Sequence, residues 1–385
     1  MSSLSFPSAR AVGRGAAWYR GDCHVHSVHS DGELTPEELA VWARAARLDF
    51  IATTEHNSAA APGVWGHLAA DDFLILLGEE VTTKTGHWLA LGLDPGEVVD
   101  WNHEVRDGLV DKCLEQVHRA GGLCVAAHPH APYPSGGFMF PFPGFDVVEV
   151  WNGLWTSDRP WNADNEAALA EWGRSLAADL HTGSWRPAMG NSDTHLEGQI
   201  GTPHTVVFVK ELGTEAVLAG ISAGRSWIAE SADVDVSFSA HTAGRAAGVG
   251  EWLLTHGGQV EVRAAVRGVP AGTVSFHTDR GKAHRAPSPT TGRERCSGTR
   301  QRSNQHSSAS RSAIAAGTSP HSPIRSSSTD RSFHRAVRSK SSGSALRRAR
   351  PRMDLDDAEV RMELWFAVRL AGRDADRRGR SFLAR

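Results

Sequence analysis

From Tyr19 to about Trp227, short apolar runs alternate with amphipathic stretches, the pattern of parallel strands joined by crossover helices. Thr35-Pro36-Glu37-Glu38 supplies an N-cap hydroxyl, a first-turn proline and a capping-box glutamate, so a helix is expected from there to about Arg47. Phe50 to Thr54 reads as the next strand and delivers Glu55-His56-Asn57 at its end. Phe73 to Leu77 leads into Gly78-Glu79-Glu80, and Trp88 to Leu91 follows His87. Helical spacing from Val105 to Ala120 closes at Gly121-Gly122. Leu123 to Ala127 is a buried strand ending at His128-Pro129-His130, and Val147 to Asn152 is another. A helix from about Asn165 to Leu180, strands at Ala188 to Asp193 and Thr205 to Val209, and a helix from Thr214 to Ala223 complete the unit. The polar residues fall at strand ends, where α/β barrels collect their chemistry.

Between about Asp233 and Thr278 the period changes to two, through Val234, Val236 and Phe238, then Val260, Val262, Ala264 and Val266, then Val274 and Phe276. This predicts a small antiparallel appendage. Beyond about Ala286 Ser, Arg, Thr and His dominate up to Arg352, a stretch that cannot bury enough apolar surface to offset its ordering entropy. Met353 to Leu370 regains some helical spacing, enough for an isolated helix. The expected organisation is an N-terminal extension over 1–18, a barrel over 19–230, a β-rich appendage over 231–285 and a low-complexity tail over 286–385. Three readings of the tail stand side by side: a disordered linker, a basic interaction arm, or text out of frame from near Ala286. The second rests on charge, since only Glu294 and Asp330 oppose the arginines between Arg293 and Arg352.

That charge matters because the net value of -3, from 41 Lys and Arg against 44 Asp and Glu, conceals an acidic folded region and a basic tail. An acidic barrel argues against a nucleic-acid surface there. Cys23, Cys113, Cys124 and Cys296 show no paired spacing, which fits a reducing cytoplasm, and Cys23 and Cys124 read as buried small hydrophobes. Met1 to Ala17 has no apolar core of signal length, and no later run approaches the roughly 20 residues of a membrane span. A cytoplasmic protein with no membrane partner is therefore expected; the sequence does not address oligomeric state.

The chemistry lies in the histidines and acids. In an extended strand side chains two apart share a face, so His24 and His26 point one way, as do Asp193 and His195. With Asp31, His56, Glu80, His87 and His128 they describe a polynuclear metal site. Imidazole and carboxylate without thiolate suit zinc, manganese or iron. Such a site implies metal-assisted hydrolysis.

His24-Val25-His26, Ser30-Asp31-Gly32, Thr54-Glu55-His56-Asn57, Gly78-Glu79-Glu80, His128-Pro129 and Asn191-Ser192-Asp193-Thr194-His195 resemble, in order and spacing, the polymerase-and-histidinol-phosphatase (PHP) superfamily. Gly86-His87-Trp88 and Glu149-Val150-Trp151-Asn152-Gly153, with the β appendage, look like its carbaryl-hydrolase-related (CehA/McbA) branch. The resemblance, over roughly Tyr19 to Thr278, implies a distorted (β/α)7 barrel holding two or three divalent metal ions. It implies His24, His26, Glu80 and Asp193 as ligands of a first ion, with Glu80 bridging to a second that His128 completes. Asp31, His56 and His195 would hold a third. His87, close after Glu80, is the candidate for the second ion's remaining ligand. Glu55, where the family more often carries Asp, is expected to orient neighbours. Glu79 should face away from Glu80 by alternation.

The function this implies is cleavage of a small ester-like molecule, such as a carbamate, carboxylic ester or phosphodiester. A water between two cations, its pKa lowered from about 15.7 towards 7, would be the nucleophile. Asp193 would take its remaining proton, and His195 or the third ion would polarise the scissile oxygen. Asn152, Trp151 and His130 are candidate substrate contacts, with Trp151 and Trp155 forming an apolar wall and His204 near the site loops. A phosphomonoester would want Arg or Lys, yet Lys84 and Arg159 are the nearest candidates. The alternatives are a phosphomonoester phosphatase and a non-catalytic nucleic-acid-binding protein acting through its tail. Gly220-Ile221-Ser222-Ala223-Gly224 matches a serine-hydrolase elbow, but it ends a helix rather than joining a strand to one.

Overall fold

The computed structural model describes residues 15–59, 62–155, 162–179, 185–254, 260–269, 272–278, 281–288, 296–299, 366–371 and 380–384. The chain divides into two units, 1–301 with 359–385 and 302–358, and the second lies outside the described residues.

The first part of the larger unit runs β1 (Ala17–Asp22), α1 (Pro36–Ala45), β2 (Phe50–Thr53), α2 (Pro62–Trp65), β3 (Leu74–Thr83), β4 (Gly86–Leu91), α3 (Val110–Arg119), β5 (Leu123–Ala126), β6 (Val147–Asn152), α4 (Asn165–Asp179), β7 (Ala188–Asn191), β8 (His204–Val209), α5 (Thr214–Ser222) and β9 (Ser226–Ala229). These nine strands form one sheet in the order β7-β6-β5-β4-β3-β2-β1-β8-β9. The sheet curls until it nearly closes: the Thr205 hydroxyl on β8 donates to the Gly190 carbonyl of β7 (2.9 Å) and accepts from the Gly190 N–H (3.1 Å). Gly190 permits the approach, since a Cβ there would lie 2.4 Å from Ile228 Cγ2 on β9. The expected distorted α/β barrel is present. Its pairings are mixed: β1–β2, β2–β3, β5–β6 and β6–β7 run parallel, while β1–β8, β3–β4, β4–β5 and β8–β9 run antiparallel.

Local rules account for most elements. Thr35 Oγ1 accepts from Glu38 N (3.2 Å) while Glu38 Oε2 accepts from Thr35 N (2.9 Å), so α1 starts at the expected capping box. Leu39, Ala40 and Ala43 turn one face of α1 into the core. The single helix expected from Val105 to Ala120 is instead a short 3-10 turn, Val105–Asp107, and α3. Gly108 breaks it at φ 64, a left-handed conformation that glycine adopts without steric cost.

Beyond the barrel come β10 (Asp235–Thr242), β11 (Arg245–Ala247), β12 (Trp252–Leu254), β13 (Glu261–Arg267), β14 (Gly272–Thr278), β15 (Gly281–Ser288), β16 (Cys296–Thr299), β17 (Phe366–Ala371) and β18 (Arg380–Ala384), in a four-stranded and a five-stranded sheet. Val234, Val236, Ala264, Val274 and Phe276 pack with Val206, Trp227 and Ala229 of the barrel, as the period of two demands. Two expectations are corrected here. Strands do not stop near Ala286: β15 continues to Ser288 and β16, β17 and β18 follow. Phe366 to Leu370 is strand rather than helix, since its backbone pairs with β12 and β18. The rest of the tail, with all three readings of it, lies outside the described residues, as does residues 1–14 of the N-terminal extension.

Arg20 ties the two parts together. Its Nη1 contacts His204 Nε2 (2.9 Å) and its Nη2 donates to the Val234 carbonyl (2.7 Å). Burial, aided by Arg20, pushes the His204 pKa down to about 4 against a hydrogen bond to Gly201 O. The neutral ring is the folded form. The stability it contributes is present above the unfolded value of about 6.5 and lost as pH falls from there towards 4, about 3 kcal/mol in all. Urea midpoints at pH 7.5 and 4.5 should therefore converge in His204→Gln relative to wild type; an equal acid loss in both proteins would refute this role.

Candidate metal centre

β1 ends at Asp22, two residues before the first histidine, yet His24 and His26 still share a face. Val25 bridges to Thr194 and its N–H donates to Thr54 Oγ1 (2.7 Å), while His26 N donates to Thr194 O (3.0 Å). Val25 is thereby fixed in the core and both imidazoles point inward. His24 Nε2 lies 3.3 Å from Glu80 Oε2 and from Asp193 Oδ1; His26 Nε2 lies 3.3 Å and 3.1 Å from the same atoms. All four are buried atoms without a hydrogen-bond partner. Ligand atoms about 2.0–2.1 Å from a tetrahedral ion sit about 3.3 Å apart, so the spacing is that of a cation nest.

Glu80 serves more than one group. Its Oε1 meets His87 Nδ1 at 3.0 Å and His128 Nε2 at 3.1 Å, and its Oε2 lies 2.9 Å from His56 Nδ1. The β3–β4 register pairs Thr82 with His87, which returns His87 to the same carboxylate. Glu79 faces the other way and accepts from Val99 N (2.8 Å). At the cavity mouth Asp31 Oδ1 lies 3.4 Å from His56 Nε2 and 3.2 Å from His195 Nε2. This outer set is the wet one, with Asp31 55% exposed where His24 is fully buried. Every residue expected to bind metal thus meets at one centre. Cations fit it, since the imidazoles and carboxylates converge in overlapping groups of three and four.

The electrostatics agree. Burial alone would raise Glu80 and Asp193, but His24, with His56 and His87 for Glu80 and His26 and His195 for Asp193, holds both carboxyls well below the usual range. Burial opposes protonation of His56 and His195, yet Glu80 and Asp31 carry His56 up to about 10, and Asp31 and Asp193 carry His195 to about 9. Bound cations would take the place of these protons.

Three backbone strains aim the groups. Asn57, His128 and Asp193 have φ of 51, 26 and 51, a region that costs non-glycine residues energy and clusters at functional sites. β7 stops at Asn191, so Asp193 and His195 reach the centre from an irregular segment, flanking Thr194 where it bridges to Val25, rather than from a continuous strand. Glu55 orients neighbours as expected: it accepts from Ser27 N, the Ser27 hydroxyl and the Ser30 hydroxyl (2.5 Å), shaping the turn that carries Asp31.

Glu149 is the residue whose role the sequence reading missed. Fully buried, its carboxylate touches His24 Nδ1 (3.2 Å) and accepts from His128 N (2.9 Å), Asn152 Nδ2 (3.1 Å) and Asn191 Nδ2 (2.8 Å). A lone charge inside Val147-Val148-Glu149-Val150 was the available signal. Partners that fix the tautomer of a ligating histidine are worth about 10- to 100-fold in metal affinity. Glu149→Gln should weaken metal binding by that factor in a chelator competition while the protein stays folded; unchanged affinity would exclude the role.

Of the expected substrate contacts only Asn152 lines the cavity, its amide donating to Asp193 Oδ2 (3.2 Å). Trp151 and Trp155 are corrected: they line a separate recess with Trp172 and Trp185. A register shift between Glu149 and Trp151 places Val150 and Trp151 on the outer side and returns Asn152 inward. His130 turns away to Glu171 (2.7 Å), and His204 lies at the barrel-appendage contact. The cavity, about 580 Å³, takes its apolar wall from Tyr133, Leu154 and Leu196 instead. Burial and the charges of Glu80, Asp193, Glu149 and Asp31 push Tyr133 up, as for a phenol facing the acids. No Lys or Arg lines the cavity among the described residues; Lys84 is exposed beside Glu104, and Arg159 lies outside them. Ser222 ends α5 on its exposed side, away from this centre.

No family model matches the chain. An uncharacterized protein of Methanocaldococcus jannaschii is 26% identical over 149 residues, 34% of this chain and 81% of that protein. Among solved structures, a two-domain protein of Bacteroides vulgatus, described as containing a predicted PHP-like metal-dependent phosphoesterase, is similar at 17% identity over 74% of this chain and 87% of its own, with a TM-score of 0.43. A lesion-specific endonuclease of Pyrococcus furiosus (17%, 55% and 57%, TM-score 0.37) and an amidohydrolase of Chromobacterium violaceum (19%, 47% and 89%, TM-score 0.32) are further similar chains.

Proposed function

We propose that this protein is a PHP-superfamily metal-dependent hydrolase of the carbaryl-hydrolase-related branch, cleaving a small, weakly charged ester-like substrate. The observation that carries the reading is the nest of His24 Nε2, His26 Nε2, Glu80 Oε2 and Asp193 Oδ1, four buried atoms at cation-ligand spacing and without a hydrogen-bond partner. His24, His26, Glu80 and Asp193 would hold one ion, Glu80, His87 and His128 a second, and Asp31, His56 and His195 a third. Divalent ions here would activate water at neutral pH and polarise the scissile oxygen.

The remaining work falls to the chain. Asn152 steadies Asp193 Oδ2, so this carboxylate is placed to accept the proton of the attacking water. His195 donates Nδ1–H to Asp193 O (2.9 Å), which leaves Nε2, 3.2 Å from Asp31 Oδ1 at the cavity mouth, as the atom that would hold the third ion. Tyr133, Leu154 and Leu196 favour an apolar or aromatic leaving group, and a lining without described Lys or Arg favours low substrate charge. A cytoplasmic location belongs to the proposal, supported by Cys23, Cys113 and Cys124 being free and buried. No helix among the described residues is long and apolar enough to cross a membrane. Elemental analysis after reconstitution with zinc or manganese, alongside turnover of aryl esters, carbamates and phosphodiesters, tests the proposal. Protein that takes up no metal, or that turns over none of them, overturns it.

A further inference from the structure

On the reading that this cavity cleaves ester-like substrates, we infer that Tyr133 is a catalytic residue whose hydroxyl donates a hydrogen bond to the scissile-group oxygen that gains negative charge. Tyr133 stands on a loop closed at its base: His130 bridges to Gly137, Ala131 N donates to His128 O (2.9 Å) and Phe138 N donates to Pro129 O (3.2 Å). Because His128 is itself in the metal centre, the loop and the centre are positioned together. The Tyr133 ring lies 5.9 Å from that of His87 and 6.2 Å from that of His128, on the wall of the same cavity.

Gly136 is what leaves the ring its place. Its N–H donates to Tyr133 O (3.0 Å), and a Cβ there would fall 2.2 Å from Tyr133 Cε2 and 2.3 Å from Cζ. The hydroxyl so placed makes no hydrogen bond to any described residue. Three other neutral donors beside the acids are engaged: the Thr82 hydroxyl with His56 Nδ1 (2.5 Å), the Asn152 amide with Glu149 and Asp193, the Ser192 hydroxyl with Thr194. A partly buried phenol normally finds a partner. Here the cavity supplies that partner when substrate enters, and a fixed neutral donor stabilises developing charge without reorganisation.

Tyr133→Phe and Gly136→Ala in the full, metal-loaded chain test the inference. Tyr133→Phe should retain its metal and lose about 100-fold in kcat with little change in KM, equally for aryl carbamates with strongly and weakly acidic phenols. Gly136→Ala, which keeps the hydroxyl but displaces the ring, should lose activity likewise. Isothermal titration with methyl(phenyl)phosphinate, a tetrahedral monoanion without a scissile ester bond, should show about 10-fold weaker binding to Tyr133→Phe than to wild type. Equal phosphinate binding, a change confined to KM, or loss of metal from Tyr133→Phe would each overturn the assignment. Wild type inert towards every ester would sink the hydrolase reading instead, and the phosphinate titration would still decide the role of Tyr133.

Discussion

Glu80→Ala is expected to abolish hydrolysis, by at least about three orders of magnitude, and to strip metal from more than one group of ligands. One carboxylate faces His24 and His26 at 3.3 Å, His56 at 2.9 Å, His87 at 3.0 Å and His128 at 3.1 Å. Its removal leaves His87 and His128 without a facing carboxylate and leaves His24, His26 and His56 with only Asp193, Glu149 or Asp31, so cation affinity falls together at every group it joins. Asp193→Ala should be as inactive but lose fewer ions, because Asp193 Oδ1 meets only His24, His26 and His195. Elemental analysis and turnover of the two variants side by side separate these cases. Full metal content with wild-type turnover in Glu80→Ala would end the shared-carboxylate account.

The second large effect concerns substrate charge. With one aryl leaving group throughout, a phosphodiester and a carbamate should be turned over roughly 100-fold faster than the phosphomonoester. Charge-assisted hydrogen bonds contribute about 1.5 kcal/mol each, and a dianion without Arg or Lys partners forgoes two of them. The cavity wall offers Tyr133, Leu154 and Leu196 to an aromatic group, while Asp31, Asp193 and Glu197 add negative charge. A clear preference for the monoester would show that the cations suffice to hold a dianion and would move the protein to the phosphatase alternative.

Much of this centre was legible because its residue types are rare in bland settings. Histidines two apart after an apolar run, and glutamate and histidine at successive strand ends, mark chemistry wherever the strands lie. The capping box at Thr35 and the paired glycines after α3 were equally local, since both satisfy backbone groups within one turn. What failed was inference that assumed regular geometry. Trp151 was expected on the cavity wall as a large apolar side chain near the site, and the irregularity in β6 put it outside; His130 was expected beside the site loops, and its ring turns to Glu171 instead.

By itself the sequence determined the α/β alternation, the β-rich appendage and the inventory of histidines and acids that converge at the centre, because each follows from period, capping or residue type over a few positions. Only the tertiary structure decided that Glu80 faces five imidazoles, that Glu149 braces His24 and His128, that Tyr133 rather than Trp151 borders the cavity, and that strands continue past Ala286. Those outcomes depend on how the sheet curls, how β6 shifts register and which distant strands pair. They are set by contacts across the chain, to which no local pattern of residues responds.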